Sequence, residues 1–545
     1  MPAQIRRPPL PIRAGLLVFL FSFQIPLLPI RADNDTWWHL KTGQYLLETG
    51  PLFPEHDVFS QTGADQEWVN HEWLSDILFY MVYKYLGGPM ALIVFLSLVY
   101  ACTGVLLFLA AARRSGTLPA GLALALCAVW SGQHSVLTRP PMLSYLLFVV
   151  FILTLERFWH HAFSPRRTAA ILAMVVLWSN LHGGVILAVV VAGAYALSAW
   201  LLHRDRRAWT LFGPAVLLAA MGNPWGYKVL ALTFKVARDP VLTSLIVELA
   251  PPDFIHFKVF WAFVVGSLAL LVLARDRRQA PLWLLSAFFL WQGTSHVRHV
   301  PLAALTLALA ASGAFPAARR AAAPLLPVPR WFTLAATVLS AALLALASWL
   351  IFDTRNRPFL HFRGVVEDAY PKELCDFLIA HPLPGPMFND INYAGYLIWR
   401  LSPEPYKVWT DSRFDIHGSG PARILSSMRA GNDPFTVKIA RENYNPILGQ
   451  APDDKPYWRA ILDWIDPGFI VTSTTIGPKH RLEARLSEEN SGWVKVFSSP
   501  PKLVRFSRYW PPWEFGGYAI YVRDTPENAD LIASARRAWL TERLK

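Results

Sequence analysis

The chain has 545 residues, of which 54% are hydrophobic and only 16% charged, and its mean hydropathy is +0.31. Soluble globular proteins carry about 25% charged residues, so this composition excludes a disordered or ordinary cytosolic protein and indicates one embedded in a membrane. The three cysteines, two of them inside apolar runs, exclude a disulfide scaffold and a cysteine-based zinc site.

The net charge of +13 comes mainly from short basic clusters between apolar runs. Residues 1–353 carry 26 Lys and Arg against 16 Asp and Glu. Seventeen of those basic residues fall within residues 6–13, 113–114, 157–167, 204–207, 275–278 and 319–330. Lys and Arg next to a membrane span resist translocation, so these clusters predict the cytoplasmic gaps. We therefore interpret the charge as a sign of topology and not as a nucleic-acid-binding surface.

Eleven apolar runs come close to the ~20 residues that cross the hydrocarbon core of a bilayer. The predicted spans are residues 14–30, 90–112, 118–133, 142–158, 168–182, 184–202, 208–222, 257–274, 281–294, 300–316 and 331–352. The basic clusters place the N-terminus in the cytoplasm, and an odd number of spans then places the C-terminus outside. The first span is interpreted as a retained anchor, because no small-residue cleavage site follows Pro26 and Pro29.

Residues 354–545 have an ordinary charge density and alternate short β-rich runs with amphipathic segments. The candidate strands are residues 387–389, 407–410, 469–472, 494–497, 502–506 and 518–522. The candidate helices are residues 372–380, 393–401, 421–429, 434–443, 456–465 and 527–543. This alternation predicts one α/β domain outside the cytoplasm. The whole chain is thus predicted to be an α-helical polytopic membrane protein, with a transmembrane domain at 1–353, a long first external loop at 31–89, and an extracytoplasmic α/β domain at 354–545.

Unusual polar residues gather in the gaps that this topology places outside. The first gap contributes Asp33, Asp35, His39, His71 and Glu72. The later gaps contribute Arg139, Asn180, His182, Asn223, Glu248, Arg298 and His299. The cytoplasmic gaps hold little besides Arg. This one-sided set at the ends of helices predicts a site at the outer membrane boundary.

Each of these residues also has a structural interpretation. Asp33 or Asp35 can cap the helix that begins near Thr36, and single histidines at helix ends are more often satisfied locally than used as ligands. The two asparagines can end helices beside Gly or Pro, and Arg139 or Arg298 can extend to the membrane interface. These separate roles do not explain why the whole set lies on one side.

The set fits the transfer of a group to a hydroxyl acceptor. Asp35 can act as the general base that takes the proton of the attacking hydroxyl, with Asp33 as a metal-binding or electrostatic partner. Two acids at this spacing suffice for a weak Mg²⁺ or Mn²⁺ site without requiring one. A phosphate leaving group needs fixed positive charge and hydrogen-bond donors. The candidates for that role are Arg139, Arg298, His182 and His299.

Three common sequence motifs are missing from the chain. It contains no GxxxxGK[ST] phosphate-binding loop, which argues against a nucleotide-driven pump. It also contains neither HExxH nor GxSxG, which removes the commonest membrane or external hydrolases.

These features resemble the GT-C superfamily of membrane glycosyltransferases, which includes protein O-mannosyltransferases and lipid A aminoarabinose transferases. In that superfamily the first external loop begins with an Asp, a helix follows, and a Gly ends the helix. Asp35, the helical run 37–47 and Gly50 match this arrangement, so the resemblance implies that Asp35 is catalytic. The usual neighbouring Glu is replaced by Thr36 and the second acid is Asp33, which leaves metal dependence open.

The chain is also similar to uncharacterised bacterial membrane proteins of this superfamily. The shared stretches are Asp-x-Trp-Trp-His-Leu-x-x-Gly at 35–43, His-Glu-Trp-Leu at 71–74, Asn-Leu-His-Gly-Gly at 180–184, residues 298–302, and residues 389–413 with Asp411-Ser412-Arg413. The superfamily implies a polyprenyl-phosphate-linked sugar donor and inverting hexosyl or pentosyl transfer to an external glycan, lipid or protein acceptor. It also implies a multi-pass protein of the bacterial inner membrane, surrounded by membrane lipids.

Other functions fit part of this pattern. A member of the same superfamily could ligate or polymerise whole glycans, and a non-catalytic flippase or transporter would move lipid-linked sugars. A transporter is expected to carry ionisable residues near the bilayer midplane, whereas the acids here lie at the ends of spans. The external domain is predicted to serve acceptor recognition or gating, with structural support as the alternative role of Asn389, Asp390, Asp411 and Arg413.

Overall fold

The computed structural model describes residues 12–25, 33–239, 242, 246–274, 279–322, 370–428, 456–474, 481–504, 513–515 and 517–543. The predicted span 331–352 and the predicted helix 434–443 lie outside these residues. The chain forms two compact units. The first comprises Met1–Pro29, His71–Thr233 and Thr243–Asp353, and the second comprises Ile30–Asn70, Phe234–Leu242 and Thr354–Lys545. Part of the loop predicted at 31–89 therefore groups with residues 354–545.

The first unit is helical. Its helices are Ile12–Gln24, Trp73–Leu86, Gly88–Ser115, Leu118–Ser131, Pro141–His160, Pro165–Leu181, Ile186–Leu201, Arg206–Ala220, Lys258–Ala274, Ala280–Ser295 and Val300–Ala322. The helix Lys228–Ala237 begins in this unit, and its last residues are assigned to the second. Each predicted span within the described residues coincides with one of these helices.

Four segments are long and apolar enough to cross a membrane, and they indicate an integral membrane protein. They are Gly88–Ser115, Pro141–His160, Gly183–Leu201 and Val297–Pro316. Shorter apolar helices occur at Ala14–Phe23, Leu118–Ser131 and Lys258–Val272. That all the predicted spans cross the bilayer stays a prediction.

The helix Trp73–Leu86 was not predicted, because the stretch that contains it was interpreted as a long loop. The helix has only 14 residues, and Asp76 and Lys84 interrupt its apolar residues, so the sequence shows no run of membrane-spanning length there. Asp76 is nevertheless buried. The helix ends at Gly87, which adopts the left-handed conformation with φ of 116°.

A close contact at a glycine and a partly buried ion pair connect helices of the first unit. A Cβ at Gly121 would lie 2.5 Å from the Cα of Ala112, so the helices Leu118–Ser131 and Gly88–Ser115 approach as closely as glycine permits. Arg114 forms an ion pair with Glu156, whose other oxygen accepts a hydrogen bond of 2.6 Å from Tyr195. Arg114 also donates to the carbonyl of Leu309. Three further helices are thus tied to Gly88–Ser115.

The second unit contains a four-stranded sheet and a separate strand pair. The strands are β1 Met387–Asn389, β2 Phe469–Ser473, β3 Trp493–Ser499, β4 Lys502–Val504, β5 Trp513–Phe515 and β6 Tyr518–Arg523. The sheet has the order β1-β2-β6-β3, in which β1 and β2 are parallel and the other pairs antiparallel. The strands β4 and β5 pair only with each other among the residues that the structure describes.

Helices cover this sheet, as the alternating pattern predicts. They are Lys372–Ala380, Ala394–Leu401, Phe414–His417, Gly420–Met428, Tyr457–Ile465, Arg481–Leu486 and Ala529–Arg543. Phe388, Trp409, Ile461, Ile470 and Tyr521 lie in their common core. The predicted strand at 407–410 is wrong. Val408 instead forms a single bridge with Ser60, because backbone groups of residues 59–62 take its hydrogen bonds.

The helix Asn34–Gln44 belongs to this second unit and packs on Ala394–Leu401. Trp37 packs edge-on against Tyr396, with ring centroids 4.9 Å apart. The backbone N–H of Gly395 donates to the side-chain oxygen of Asn34 at 2.9 Å. A π-helical turn, Tyr45–Thr49, continues the helix, and Gly50 ends it as predicted.

Gly395 is required by this close approach, and its substitution tests the packing. A Cβ there would lie 2.0 Å from the backbone oxygen of Asn34, which cannot give way as a side chain can. Gly395→Ala should therefore destabilise the unit by about 1–3 kcal/mol. Gly193→Ala is the matched control, since its Cβ would meet nothing within 4 Å. Thermal unfolding of the two full-length variants in detergent measures the difference, and equal midpoints would contradict the packing.

Candidate functional site

Asp33 and Asp35 lie at the start of the helix Asn34–Gln44. Asp33 is the N-cap, and its carboxylate accepts a hydrogen bond of 3.2 Å from the backbone N–H of Asp35. Asp35 is half-buried in the first turn. Its Oδ1 accepts a hydrogen bond of 2.5 Å from the hydroxyl of Ser412. The capping role therefore belongs to Asp33, and Asp35 presents its carboxylate to the segment that contains Ser412.

The two sequence neighbours of Ser412, Asp411 and Arg413, belong to a buried network of charged side chains. Arg413 donates to both oxygens of Asp57, at 2.8 and 3.1 Å, and to both oxygens of Asp411, at 2.9 and 2.7 Å. The side chains of Arg413 and both aspartates are at most 1% exposed. Nε2 of His417 lies 3.2 Å from Oδ2 of Asp411, within ion-pair distance but without the geometry of a hydrogen bond. Nδ1 of the same ring lies 3.1 Å from the hydroxyl of Thr62.

Aromatic rings enclose the guanidinium of Arg413. Its Cζ lies 5.9 Å from the ring of Trp38, 5.5 Å from that of Phe59 and 5.4 Å from that of Trp68. Burial by itself raises the pKa of Asp411, but the adjacent Arg413 and His417 more than offset this and hold that pKa well below its usual range. The cluster is therefore a charged network inside an apolar enclosure.

The donor set of this network fits a metal ion by distance. Ligand atoms of Asp57, Asp411 and His417 all lie within 4.8 Å of one another, the only such group among the described residues. Two carboxylates and an imidazole could hold a divalent cation. Arg413 already supplies positive charge to both carboxylates, so a metal ion would have to displace or share its guanidinium. The Mg²⁺ or Mn²⁺ site at Asp33 and Asp35 stays a prediction.

His39 is the other predicted site residue of the second unit. It is 2% exposed, on the same helix as Asp35. Its ring packs against Trp38 at a centroid distance of 3.6 Å. The side chain of His39 is therefore almost fully shielded from solvent.

In the first unit, Glu72 lies between two histidines. Its Oε1 is 3.3 Å from Nε2 of His182, and its Oε2 is 3.8 Å from Nε2 of His71. Nδ1 of His182 accepts from the backbone N–H of Gly184 at 2.8 Å and lies 2.8 Å from the hydroxyl of Ser144. A ring nitrogen that accepts from a backbone N–H carries no proton, so the proton of the neutral ring lies on Nε2, facing Glu72.

Asn180 and Asn223 have their polar groups in structural hydrogen bonds. The side-chain oxygen of Asn180 accepts from the indole of Trp73 at 3.0 Å, and its amide donates to the carbonyl of Gly222 at 2.8 Å. Asn223 accepts from the backbone N–H of Trp225 and donates to nearby carbonyls within the same turn. These contacts join helix ends, which matches the structural interpretation of the two asparagines.

Arg139 and Arg298 converge on Glu248. Nη1 of Arg139 lies 3.1 Å from one oxygen of Glu248, and Nε of Arg298 lies 3.9 Å from the other. Two cations facing one carboxylate leave a net positive charge. Arg298 is 45% exposed, so its guanidinium is accessible to a ligand. His299 lies in the same 3₁₀ turn as Arg298, at the start of the helix Val300–Ala322.

The structure thus places most of the predicted residues in three groups: the helix start with Asp33 and Asp35, the Glu72–His182 cluster, and the pair of arginines. Asn223 lies apart from these groups, in a turn of its own. Sequence reasoning missed Asp57, Ser412 and His417. The motif Asp411-Ser412-Arg413 was noted as a shared stretch, but no chemistry was assigned to Ser412. Asp57 and His417 carry no local pattern that sets them apart from other polar loop residues.

The sequence matches no protein-family model, and no curated protein is detectably similar to it. Among solved structures, the chain is similar to the archaeal oligosaccharyltransferase AglB from Archaeoglobus fulgidus, in complex with an inhibitory peptide and a dolichol-phosphate. That match has a TM-score of 0.53 and 12% identity, and it covers 85% of this chain and 69% of AglB. An Archaeoglobus fulgidus oligosaccharyltransferase tethered to an acceptor peptide with an NVT sequon matches over the same shares, with a TM-score of 0.43 and 12% identity.

The similarity to AglB shows the fold. This chain shares the overall fold of that oligosaccharyltransferase, with long apolar helices and a C-terminal region that contains a mixed β-sheet. The predicted fold class is confirmed at that level.

Acid should weaken the second unit through Asp411. Its pKa in the folded chain lies below the ordinary ~3.9, so the unfolded chain binds the proton first, and the stabilisation is complete above about pH 5 and lost as the pH falls. We expect the unfolding midpoint of the wild type to fall more steeply between about pH 5 and pH 3 than that of Asp411→Asn. The variant should start lower, since it leaves Arg413 with one carboxylate.

The control for this measurement is Asp376→Asn. Asp376 is an exposed acid of the same unit, paired with Arg400 at 2.6 Å. Exposed pairs contribute little to stability, so this variant should keep the slope of the wild type. Identical slopes for the wild type and Asp411→Asn would contradict the assignment.

Proposed function

We propose that the chain is an integral-membrane glycosyltransferase that moves a sugar from a polyprenyl-phosphate-linked donor to an external glycan, lipid or protein. The observation that supports this most is the placement of Asp33 and Asp35. Two acids begin a helix in a GT-C-like fold, one acting as the N-cap and the other meeting a hydroxyl at 2.5 Å. A carboxylate that already binds one hydroxyl has the geometry to accept the proton of another.

In the proposed reaction, the acceptor hydroxyl attacks the anomeric carbon of the donor sugar, and Asp35 takes its proton. The new C–O bond forms as the bond between that carbon and the phosphate oxygen breaks, so the polyprenyl phosphate leaves with the electron pair. Attack opposite the leaving group inverts the configuration of the carbon. Asp33 fixes the backbone of Asp35 and adds negative charge.

The donor phosphate is proposed to meet Arg139 and Arg298. A sugar phosphodiester carries one negative charge, and the two guanidinium groups with Glu248 carry a net charge of plus one. His182 and His299 are further candidates for contacts with the phosphate, and His39, His71, Glu72, Asn180 and Asn223 for contacts with the substrates. If a Mg²⁺ or Mn²⁺ ion takes part, Asp33 and Asp35 are its proposed ligands, and it would neutralise charge on the leaving phosphate.

A second candidate function is the transfer of a whole glycan. It is favoured by one finding, namely that the solved structure of similar fold is an oligosaccharyltransferase. The size of the transferred group distinguishes the two. A labelled single sugar on the acceptor supports the first proposal, and a ladder or a single large glycan supports the second.

The proposed location is the bacterial inner membrane, with the N-terminus in the cytoplasm and residues 354–545 outside. The basic clusters support this orientation. A reporter that is active only in the cytoplasm, fused after Lys545, should stay silent, whereas one active only outside should give a signal. The reverse result would turn every proposed external residue inward and contradict the site.

The central test is Asp35→Asn. This change keeps the size of the side chain but removes the anion, so folding should survive while sugar transfer falls by about 10²- to 10⁴-fold. The measurement is transfer of a labelled sugar from polyprenyl phosphate in membranes with equal protein levels. Asp205→Asn is the control, because Asp205 also accepts a hydrogen bond at a helix start, from the N–H of Ala208 at 3.4 Å. An Asp35→Asn protein that turns over like the wild type would leave Asp35 without a catalytic role.

Asp33→Asn separates the two roles proposed for Asp33. If it only tunes charge and fixes the backbone, transfer should fall less than in Asp35→Asn. If it binds a required cation, transfer should fall as far, and EDTA should stop the wild type.

A further inference from the structure

We propose, on the basis of the function proposed above, that Ser412 is a positioning residue for Asp35. Its hydroxyl fixes the direction of the Asp35 carboxylate, and the buried Arg413 network fixes Ser412. All the residues involved belong to the second unit.

The contact between Ser412 and Asp35 is short and charge-assisted. The hydroxyl oxygen lies 2.5 Å from Oδ1 of Asp35, at the short end of the range for an O–H donor and a carboxylate. The two residues are 377 positions apart in the chain. The backbone of Asp35 is held separately by the carboxylate of Asp33, at 3.2 Å. Main chain and side chain of Asp35 are thus restrained from two different segments.

The segment that carries Ser412 cannot shift without breaking a buried ion pair. The neighbours of Ser412 in the chain are Asp411 and Arg413, and the backbone N–H of Arg413 donates to Oδ1 of Asp411 at 2.8 Å. The guanidinium holds the same carboxylate and that of Asp57. Removing one partner from such a pair leaves an uncompensated buried charge, which is strongly unfavourable. The main chain of Ser412 is therefore fixed on both sides.

The same network contacts the helix that carries Asp35. The ring of Trp38, three residues after Asp35, faces the guanidinium of Arg413 at 5.9 Å. A cation over an aromatic ring is attracted to it, most strongly when both are removed from water. Arg413 thus restrains both ends of the Ser412–Asp35 contact, the serine through the chain and the aspartate through its helix.

This arrangement matters for a base because proton transfer depends on direction. A carboxylate with one oxygen fixed by a hydroxyl loses its rotation, so the second oxygen also has a fixed direction. A misplacement of about 1 Å in such a group can cost about 10²-fold in rate. In this proposal Ser412 does not contact the sugar donor. Loss of its hydroxyl should therefore lower kcat and leave KM for the sugar donor unchanged.

The experiment compares three Ser412 variants of the full-length protein in membranes, using a polyprenyl-phosphate hexose with a labelled sugar as the probe. Ser412→Ala should lower kcat by about 10- to 100-fold at unchanged KM. Ser412→Thr keeps the hydroxyl and should restore most of the rate. Ser412→Cys keeps the size with a weaker donor and should lie between them, which also provides a reading if the alanine variant unfolds.

Ser491→Ala is the matched control. The hydroxyl of Ser491 is buried in the same unit and donates to the carbonyl of Leu486 at 2.9 Å, away from Asp35. It should leave kcat unchanged although it also removes a buried, hydrogen-bonded serine hydroxyl from the second unit. Unfolding midpoints of all variants separate a loss of folded protein from a loss of rate.

The outcomes separate this proposal from the proposed function. If the wild type transfers sugar, Asp35→Asn does not, and Ser412→Ala keeps the wild-type kcat, the positioning role is overturned and the function stands. A loss of rate in Ser412→Thr equal to that in Ser412→Ala also overturns it. If the wild type transfers no sugar from any such donor, the proposed function falls and the positioning role falls with it.

Discussion

The second unit depends on the buried guanidinium of Arg413. It contacts the carboxylates of its neighbour Asp411 and of the distant Asp57, and three aromatic rings surround it. A buried ion is tolerable only when its hydrogen bonds are saturated, and the loss of a partner costs about 3–5 kcal/mol. Residues 57–68 and 408–417 are therefore held as one structure, to which the helix Asn34–Gln44 is joined through Trp38 and Ser412. The position of Asp35 follows from that constraint.

The first unit treats its polar residues in two ways. Asn180, Asn223 and Ser144 use their polar groups in hydrogen bonds at or near helix ends. Arg139 and Arg298 share one carboxylate and keep an excess of positive charge, with Arg298 accessible. Arg298 thus differs from these hydrogen-bonded residues because it presents an exposed guanidinium to an anion.

Much of the fold could be predicted because its determinants are local. Apolar runs gave the positions of the helices, and the helix Lys372–Ala380 was predicted to the residue. The helix Trp73–Leu86 was missed because it is short and two charged residues, Asp76 and Lys84, interrupt its apolar run, although packing buries Asp76. The strand predicted at 407–410 is wrong because pairing with distant residues decided the structure of this segment. The backbone of Val408 and Trp409 bonds to residues 59–62, which form only an isolated bridge there. Among the described residues this segment pairs with no strand of the sheet.

The sequence by itself determined that the chain is rich in membrane-length helices, that an acidic pair begins the helix after the first span, and that Gly50 ends it. These properties depend on hydropathy, capping and backbone conformation, which act over a few residues. Only the tertiary structure decided that Ser412 meets Asp35 and that Arg413 joins Asp57 to Asp411. Those pairs are separated by more than 350 residues of chain. Such a pair forms only when the packing of whole helices and strands brings the two side chains together. A local sequence pattern does not indicate which distant residue the partner will be.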